Sequence, residues 1–303
     1  MTHELSIGLI GLGEVGQVLA HDLHRRAEVA LWAWDRLFPV DGSEPRRAAT
    51  ALSFLKAAGS MAQAVRGRAL VISAVTADEC RAAALEAASA LTAGTYYLDL
   101  NSVSPGTRSE AARAIEAAGG RYIEAAVMSP IAPQGIASPL WLGGPHAQEF
   151  LPLAQSLGFK DAAVYSGTIG AASAAKMCRS VIVKGMEALL AESLLTARRR
   201  GVEDAVLASL KDLLPVGDWR KLARYMISRS LQHGRRRAEE MAEAAKTVTE
   251  AGCEPWMSRG CIERQRWAAT HAGALRHEAL TDMLDDMLVP ASAQRRLRKA
   301  ERT

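Results

Sequence analysis

Short apolar runs and longer stretches of helical periodicity alternate through the first half of the chain. Ser6–Ile10, Val29–Trp34, Ala69–Val75 and Tyr96–Leu100 are apolar over the length of a strand, and shorter runs follow at Tyr122–Val127, Leu140–Gly143 and Ala163–Tyr165. Strands of this kind are buried on both faces, as in a parallel sheet covered by helices. Between them, Gln17–Arg26, Ala77–Ala90 and Pro105–Ala118 carry apolar residues at helical spacing. The alternation predicts an α/β fold with a doubly wound parallel sheet. From Gly167 onward the pattern becomes helix after helix, the longest over Ser173–Arg199, broken by turn signals at Gly201, Leu214–Gly217 and Gly252–Pro255. The reading is therefore an N-terminal sheet domain over residues 1–166 and an all-helical domain over 167–303, with an exposed loop at Phe38–Arg47 and a charged, frayed C-terminus.

Composition changes this picture little. With 303 residues and 49% hydrophobic content, the chain can bury the core of two domains. Its apolar runs stop well short of the ~18 residues of a membrane span, and the first strand pattern begins without a signal-peptide layout, so a cytoplasmic location and no membrane partner are expected. Cys80, Cys178, Cys253 and Cys261 are scattered and form no Cys-x-x-Cys pair, which points to reduced, structural thiols and no metal site. Net charge is +4, and basic clusters stand at Arg198–Arg200, Arg235–Arg237 and Arg295–Lys299. No reading motif or row of stacking aromatics accompanies them, so nucleic acid is not an expected partner. These clusters are read instead as solvated charge at helix ends, where arginine favours the negative end of the dipole.

Chemistry enters at Gly11-Leu12-Gly13-Glu14-Val15-Gly16, which follows the first strand and opens the first helix. In that setting Gly-x-Gly-x-x-Gly binds a dinucleotide: Gly11 for the tight turn, Gly13 for backbone approach to the pyrophosphate, Gly16 for close packing of helix on strand. The helix N-terminus, through Glu14 and Val15, presents its amides to the phosphates. The second strand ends in Asp35, nineteen residues beyond Gly16 and near the ~20 expected of the ribose-binding acid. Together these make the first domain Rossmann-type. Asp35 favours NAD, whereas Arg36, with Arg46 or Arg47, could hold the extra phosphate of NADP, and both cofactors stay open. Val75 and Thr76 after the third long strand, and Asn101 after the fourth, complete the predicted cofactor contacts.

Beyond these local signals the chain resembles the β-hydroxyacid dehydrogenases, which include 3-hydroxyisobutyrate and 6-phosphogluconate dehydrogenases. The family's Asp-x-Ser-Thr-x-x-Pro is similar to Asp99-Leu100-Asn101-Ser102-Val103-Ser104-Pro105, and its lysine motif to the stretch from Gly167 to Ser180, with Lys176 kept and the asparagine replaced by Ser180. Its Asp-Ala-Pro-Val-Ser-Gly corresponds to Glu124–Ser129, with Met128 in the serine position, and its later Lys-Asp pair to Glu239-Glu240. These features, with Arg236–Met241, are most similar to a subfamily of 6-phosphogluconate-dehydrogenase-like oxidoreductases whose C-terminal domain has no settled assignment. The resemblance implies hydride transfer between a nicotinamide and a small hydroxyacid-like substrate held by Ser102, Met128, Ser129, Ser173 and Glu240. It also implies a homodimer formed through the long helix, with substrate between the domains.

Lys176 is the candidate proton donor and acceptor, with Ser180 beside it: on a helix Ser173, Lys176 and Ser180 share a face. Lysine's ordinary pKa of ~10.4 is too high for a base at neutral pH, and an apolar, small-residue setting lowers it. Lys184 lies two turns on, roughly 12 Å along the helix at ~1.5 Å per residue, so it is expected to fix a carboxylate or a partner subunit. His233 is read equally as a solvated helix residue. Two alternatives remain: an imine reductase, which retention of Lys176 disfavours, and a non-catalytic dinucleotide-binding protein, which the changes at Ser180, Met128 and Glu239 leave standing.

Overall fold

The computed structural model of the chain describes residues 5–26, 28–210 and 217–289. The Leu214–Gly217 turn signal, apart from Gly217, and the Arg295–Lys299 cluster lie outside them. The described chain divides into two compact units, Met1–Met177 and Cys178–Thr303.

The first unit is built on one sheet with strand order β3-β2-β1-β4-β5-β6-β7-β8. Its strands are β1 (Leu5–Ile10), β2 (Val29–Trp34), β3 (Leu55–Ala57), β4 (Leu70–Ser73), β5 (Tyr96–Asp99), β6 (Arg121–Val127), β7 (Leu140–Gly143) and β8 (Ala162–Ser166). Helices α1 (Glu14–Arg26), α2 (Glu44–Ala51), α3 (Met61–Val65), α4 (Cys80–Ala88), α5 (Pro105–Ala117) and α6 (Ala147–Ser156) connect them. Successive strand residues go to opposite cores. Ile7, Leu9, Leu31, Leu70, Ile72, Leu98 and Ile123 pack on one face, while Ile10, Val71, Tyr97 and Tyr122 pack on the other. This two-sided burial is why these strands read as continuous apolar runs.

Three sequence expectations need correction. The sheet is not wholly parallel: β7 runs antiparallel to β6, with Glu124 opposite Gly143, and β8 pairs parallel with β7. The stretch Phe38–Arg47 is not all loop, because Ser43 caps α2 by accepting from the Arg46 amide and Pro45 stands in its first turn. Arg235–Arg237 lie in the middle of a helix rather than at its end, for the reason given below.

The second unit continues α7 (Ala171–Arg200) from the first and adds α8 (Glu203–Ser209), α9 (Trp219–Glu250), α10 (Trp256–Ala269) and α11 (Leu280–Leu288). Its core gathers Leu194, Leu195, Trp219, Ile227, Leu231, Met283, Leu284 and Met287. Helices α9 and α10 meet at Gly234, where a Cβ would stand 2.4 Å from the Gln265 carbonyl oxygen. Mid-helix arginines are kept in α9 because they meet acids: Arg237 pairs with buried Glu187, and Arg236 lies 3.5 Å from half-buried Glu240. No helix among the described residues is long and apolar enough to cross a membrane.

Candidate functional site

The carboxyl ends of β1, β2, β4 and β5 carry the predicted cofactor residues. At the end of β1, Gly11 has φ +89°, and a Cβ there would lie 2.5 Å from the Ala74 carbonyl oxygen. A Cβ on Gly16 would lie 2.1 Å from the Gly11 carbonyl oxygen, so α1 can sit this close to the turn only without a side chain. Gly13 differs: a Cβ there would meet nothing within 4 Å. Its missing side chain serves no internal contact and leaves open space before the N-terminus of α1, where the first amides lack intrahelical acceptors. That space and those donors fit a pyrophosphate.

Asp35 is nearly buried, and its carboxylate ties two loops together. Oδ2 accepts from the Leu12 amide at 2.8 Å and Oδ1 from the Leu37 amide at 2.9 Å. Arg36 extends to Glu79, 3.3 Å away, in the turn before α4. Arg46 meets Asp41 at 2.6 Å and the Phe38 carbonyl at 3.4 Å, while Arg47 donates to the Gly42 carbonyl. After β4, Val75 is half-buried and Thr76 exposed. The Val75 amide donates to Asn101 Oδ1 at 2.7 Å, and Asn101 Nδ2 donates to the Ser73 hydroxyl at 3.0 Å. Asn101, predicted to touch the cofactor, has both ends of its amide engaged in bracing these loops.

Behind this rim stands a buried polar hub that sequence reasoning missed. Arg108 of α5 is completely buried. Its guanidinium lies 2.7 Å from Asp99 Oδ1 and donates to the Asp99, Asn101 and Ala125 carbonyls. Its Nε donates to the Ser173 hydroxyl of α7 at 2.9 Å. Burial opposes the charge on Arg108, yet Asp99, with Tyr122 and Glu124, carries its pKa above the ordinary arginine value. Asp99 also accepts from the Tyr122 hydroxyl at 2.7 Å and lies 3.4 Å from Cys80 Sγ. The Cys80 thiol and the Tyr122 phenol are pushed well up, first by burial and then by Asp99. They stay protonated and serve as donors. A signal was present: Arg108 heads the buried stripe Ala111, Ala112, Ile115 on α5, where a cation needs a buried partner.

Glu124, an acid inside the apolar run of β6, completes the anchor. Its Oε2 accepts from the Gly170 amide at 2.7 Å and Oε1 from the Ser173 amide at 2.6 Å, capping the start of α7. Gly143 opposite makes room, since a Cβ there would stand 2.6 Å from Glu124 Oε2. Gly170, at φ +96°, sits against Pro105, which a Cβ would approach to 3.0 Å.

Of the predicted substrate residues, Ser102, Met128 and Ser129 are half-buried, as is Lys176, the predicted catalytic residue. Met128 donates its amide to the Pro139 carbonyl, and the Ser129 hydroxyl donates to the Pro130 carbonyl. Ser173 does not join Lys176 on an open face, because its hydroxyl is buried against Arg108. In the second unit Ser180 accepts from Lys184 Nζ at 3.3 Å, and Lys184 meets Glu240 at 2.5 Å. Lys184 thus fixes a carboxylate, and Glu240, predicted to hold substrate, is paired with it.

Residues 6–131 match the family model described as the NAD binding domain of 6-phosphogluconate dehydrogenase, and residues 197–268 match a domain of unknown function, DUF1932. A conserved hypothetical protein from Sinorhizobium meliloti 1021 is 33% identical at a TM-score of 0.71, covering 94% of this chain and 96% of its own. A conserved protein of unknown function, whose solved structure reveals similarity with 3-hydroxyacid dehydrogenases, is 31% identical at a TM-score of 0.65, covering 87% and 96%. The 3-hydroxyisobutyrate dehydrogenase of Mycobacterium tuberculosis, solved with L-serine, shares the fold at 16% identity and a TM-score of 0.69, covering 94% and 100%. With its glycine turn, its second-strand acid and these two matched domains, the chain belongs to the family of 6-phosphogluconate-dehydrogenase-like proteins that carry a DUF1932 C-terminal domain.

Proposed function

We propose that this chain is an NAD-dependent oxidoreductase that moves a hydride between nicotinamide and the hydroxyl-bearing carbon of a small hydroxyacid, with Lys176 handling the proton. The observation that supports it most is the anchor of α7. A completely buried arginine and a completely buried glutamate hold the first turn of the helix that bears Lys176, through Ser173 and the Gly170 and Ser173 amides. Such an investment in buried charge is worthwhile where a side chain must be held in one geometry.

When bound, the nicotinamide supplies the hydride acceptor or donor. The chain does the rest. The α1 amides and the space before Gly13 hold the pyrophosphate, and Asp35 orients the loops around the adenosine ribose. The Lys176 amine takes the hydroxyl proton as the alcohol is oxidised and returns it in reduction. Glu124 does not take part in this transfer, because both of its oxygens accept backbone amides in a dry position. NAD is favoured over NADP because Arg36, Arg46 and Arg47 are each engaged within the protein.

The same reading includes a homodimer. On α7, Ile182 and Leu189 are 66% and 55% exposed on one stripe, which a second copy would cover. Light scattering should report a particle of twice the chain mass; a single-chain mass at micromolar concentration overturns it. Activity is tested by following NADH absorbance against 3-hydroxy acids, their aldehydes and ketoacids, and cyclic imines. On a confirmed substrate, Lys176→Met should lower kcat by about 10²–10⁴-fold. Turnover at the wild-type rate would make this lysine structural.

A further inference from the structure

We propose that Glu79 sets the cofactor preference of the first unit by holding Arg36, so that releasing this pair admits a 2′-phosphate. The inference rests on the reading of that unit as dinucleotide-binding. Sheet order carries it. Strands β2 and β4 flank β1, Arg36 stands two residues past β2, and Glu79 stands six past β4. An ion pair between them at 3.3 Å therefore links the segments that leave the two strands flanking β1, at the residue next to Asp35.

Charge then decides what can enter. A 2′-phosphate brings nearly two negative charges, and a ribose held at Asp35 would present it to that carboxylate. Arg36 is the guanidinium adjacent in sequence that could compensate, and Glu79 neutralises it. Arg46 is committed to Asp41 and the Phe38 carbonyl, and Arg47 to the Gly42 carbonyl. The Arg36 and Glu79 side chains are 61% and 33% exposed, so the pair contributes little to folding and its removal leaves the unit intact. The same exposure limits the effect on binding to a modest factor.

The test measures affinity, without turnover. The full chain is titrated with NADH and NADPH by nicotinamide fluorescence, and with ADP and 2′,5′-ADP by calorimetry. Wild type should prefer NADH and ADP. Glu79→Gln, equal in size but neutral, should raise NADPH affinity relative to NADH by about fivefold, with a matching gain for 2′,5′-ADP. The gain should vanish in the double variant Glu79→Gln/Arg36→Met, because it depends on the released guanidinium. An unchanged ratio in Glu79→Gln, an equal gain in the Arg36→Met background, or a wild type that prefers NADPH overturns the proposal. A wild type that binds neither nucleotide is a separate outcome, which removes the dinucleotide reading and this inference with it.

Discussion

Replacing Glu124 by glutamine changes almost no volume and tests the anchor of α7 directly. In the native chain both carboxylate oxygens accept backbone amides, from Gly170 at 2.7 Å and Ser173 at 2.6 Å, in a site without solvent. A carboxamide keeps one acceptor and turns its NH₂ group toward the other amide, so one bond becomes donor facing donor. A hydrogen bond to a charged group contributes about 1.5–3 kcal/mol. Loss of negative charge at a helix start removes about 0.3–1 kcal/mol more. The sum is about 2–4 kcal/mol. For units of about 150–250 residues each kcal/mol moves Tm by about 2–4 °C, so the first unit should melt roughly 5–15 °C lower. Scanning calorimetry reads the fall, and hydrogen exchange at the Gly170 and Ser173 amides should accelerate. Glu149→Gln, which alters an exposed pair with Arg121, is the control and should leave both unchanged. A Glu124→Gln protein melting within about 1 °C of wild type, or exchanging at the native rate at those amides, would refute the anchoring role.

The glycine turn separates binding from folding: Gly13→Val should lose NADH binding while melting near the wild-type temperature, whereas Gly16→Ala should lose stability, because its Cβ meets the Gly11 carbonyl at 2.1 Å. Equal melting curves for the two variants would count against this division. Arg108→Met leaves the buried Asp99 carboxylate uncompensated and should cost about 3–5 kcal/mol; adding Asp99→Asn should recover part of it in chemical denaturation, and no recovery would mean that Arg108 acts by packing alone. Among the thiols, burial pushes Cys261 up to about 11 and keeps it protonated at pH 8. Iodoacetamide mapped by peptide mass spectrometry should label exposed Cys253 in the native protein and Cys261 only after unfolding.

The sequence by itself determined what depends on near neighbours. Strands buried on both faces read as apolar runs, and the Gly11–Gly16 turn read as a dinucleotide loop because Gly11 and Gly16 answer to atoms in the adjoining strand's loop or a few residues away, while Gly13 leaves its space open. The long helix that carries Lys176 was legible in the same way, from spacing along one element, and Lys176 stood out on it through the family resemblance. Tertiary structure decided the rest. The antiparallel entry of β7 is a choice of partner, and a four-residue apolar run carries no mark of direction. Arg108 finds Ser173 across 65 residues, and Glu124 finds Gly170 and Ser173 across 46 and 49. A charge in an apolar stripe announces only that it must be compensated, because burying it alone is costly. Which group compensates it depends on the sheet order. For the same reason Ser173 shares a helical face with Lys176 yet lies against Arg108, and Arg235–Arg237 stand mid-helix, two of the three facing acids from Glu187 and Glu240. Helical periodicity states which residues share a side, and packing alone states what that side meets.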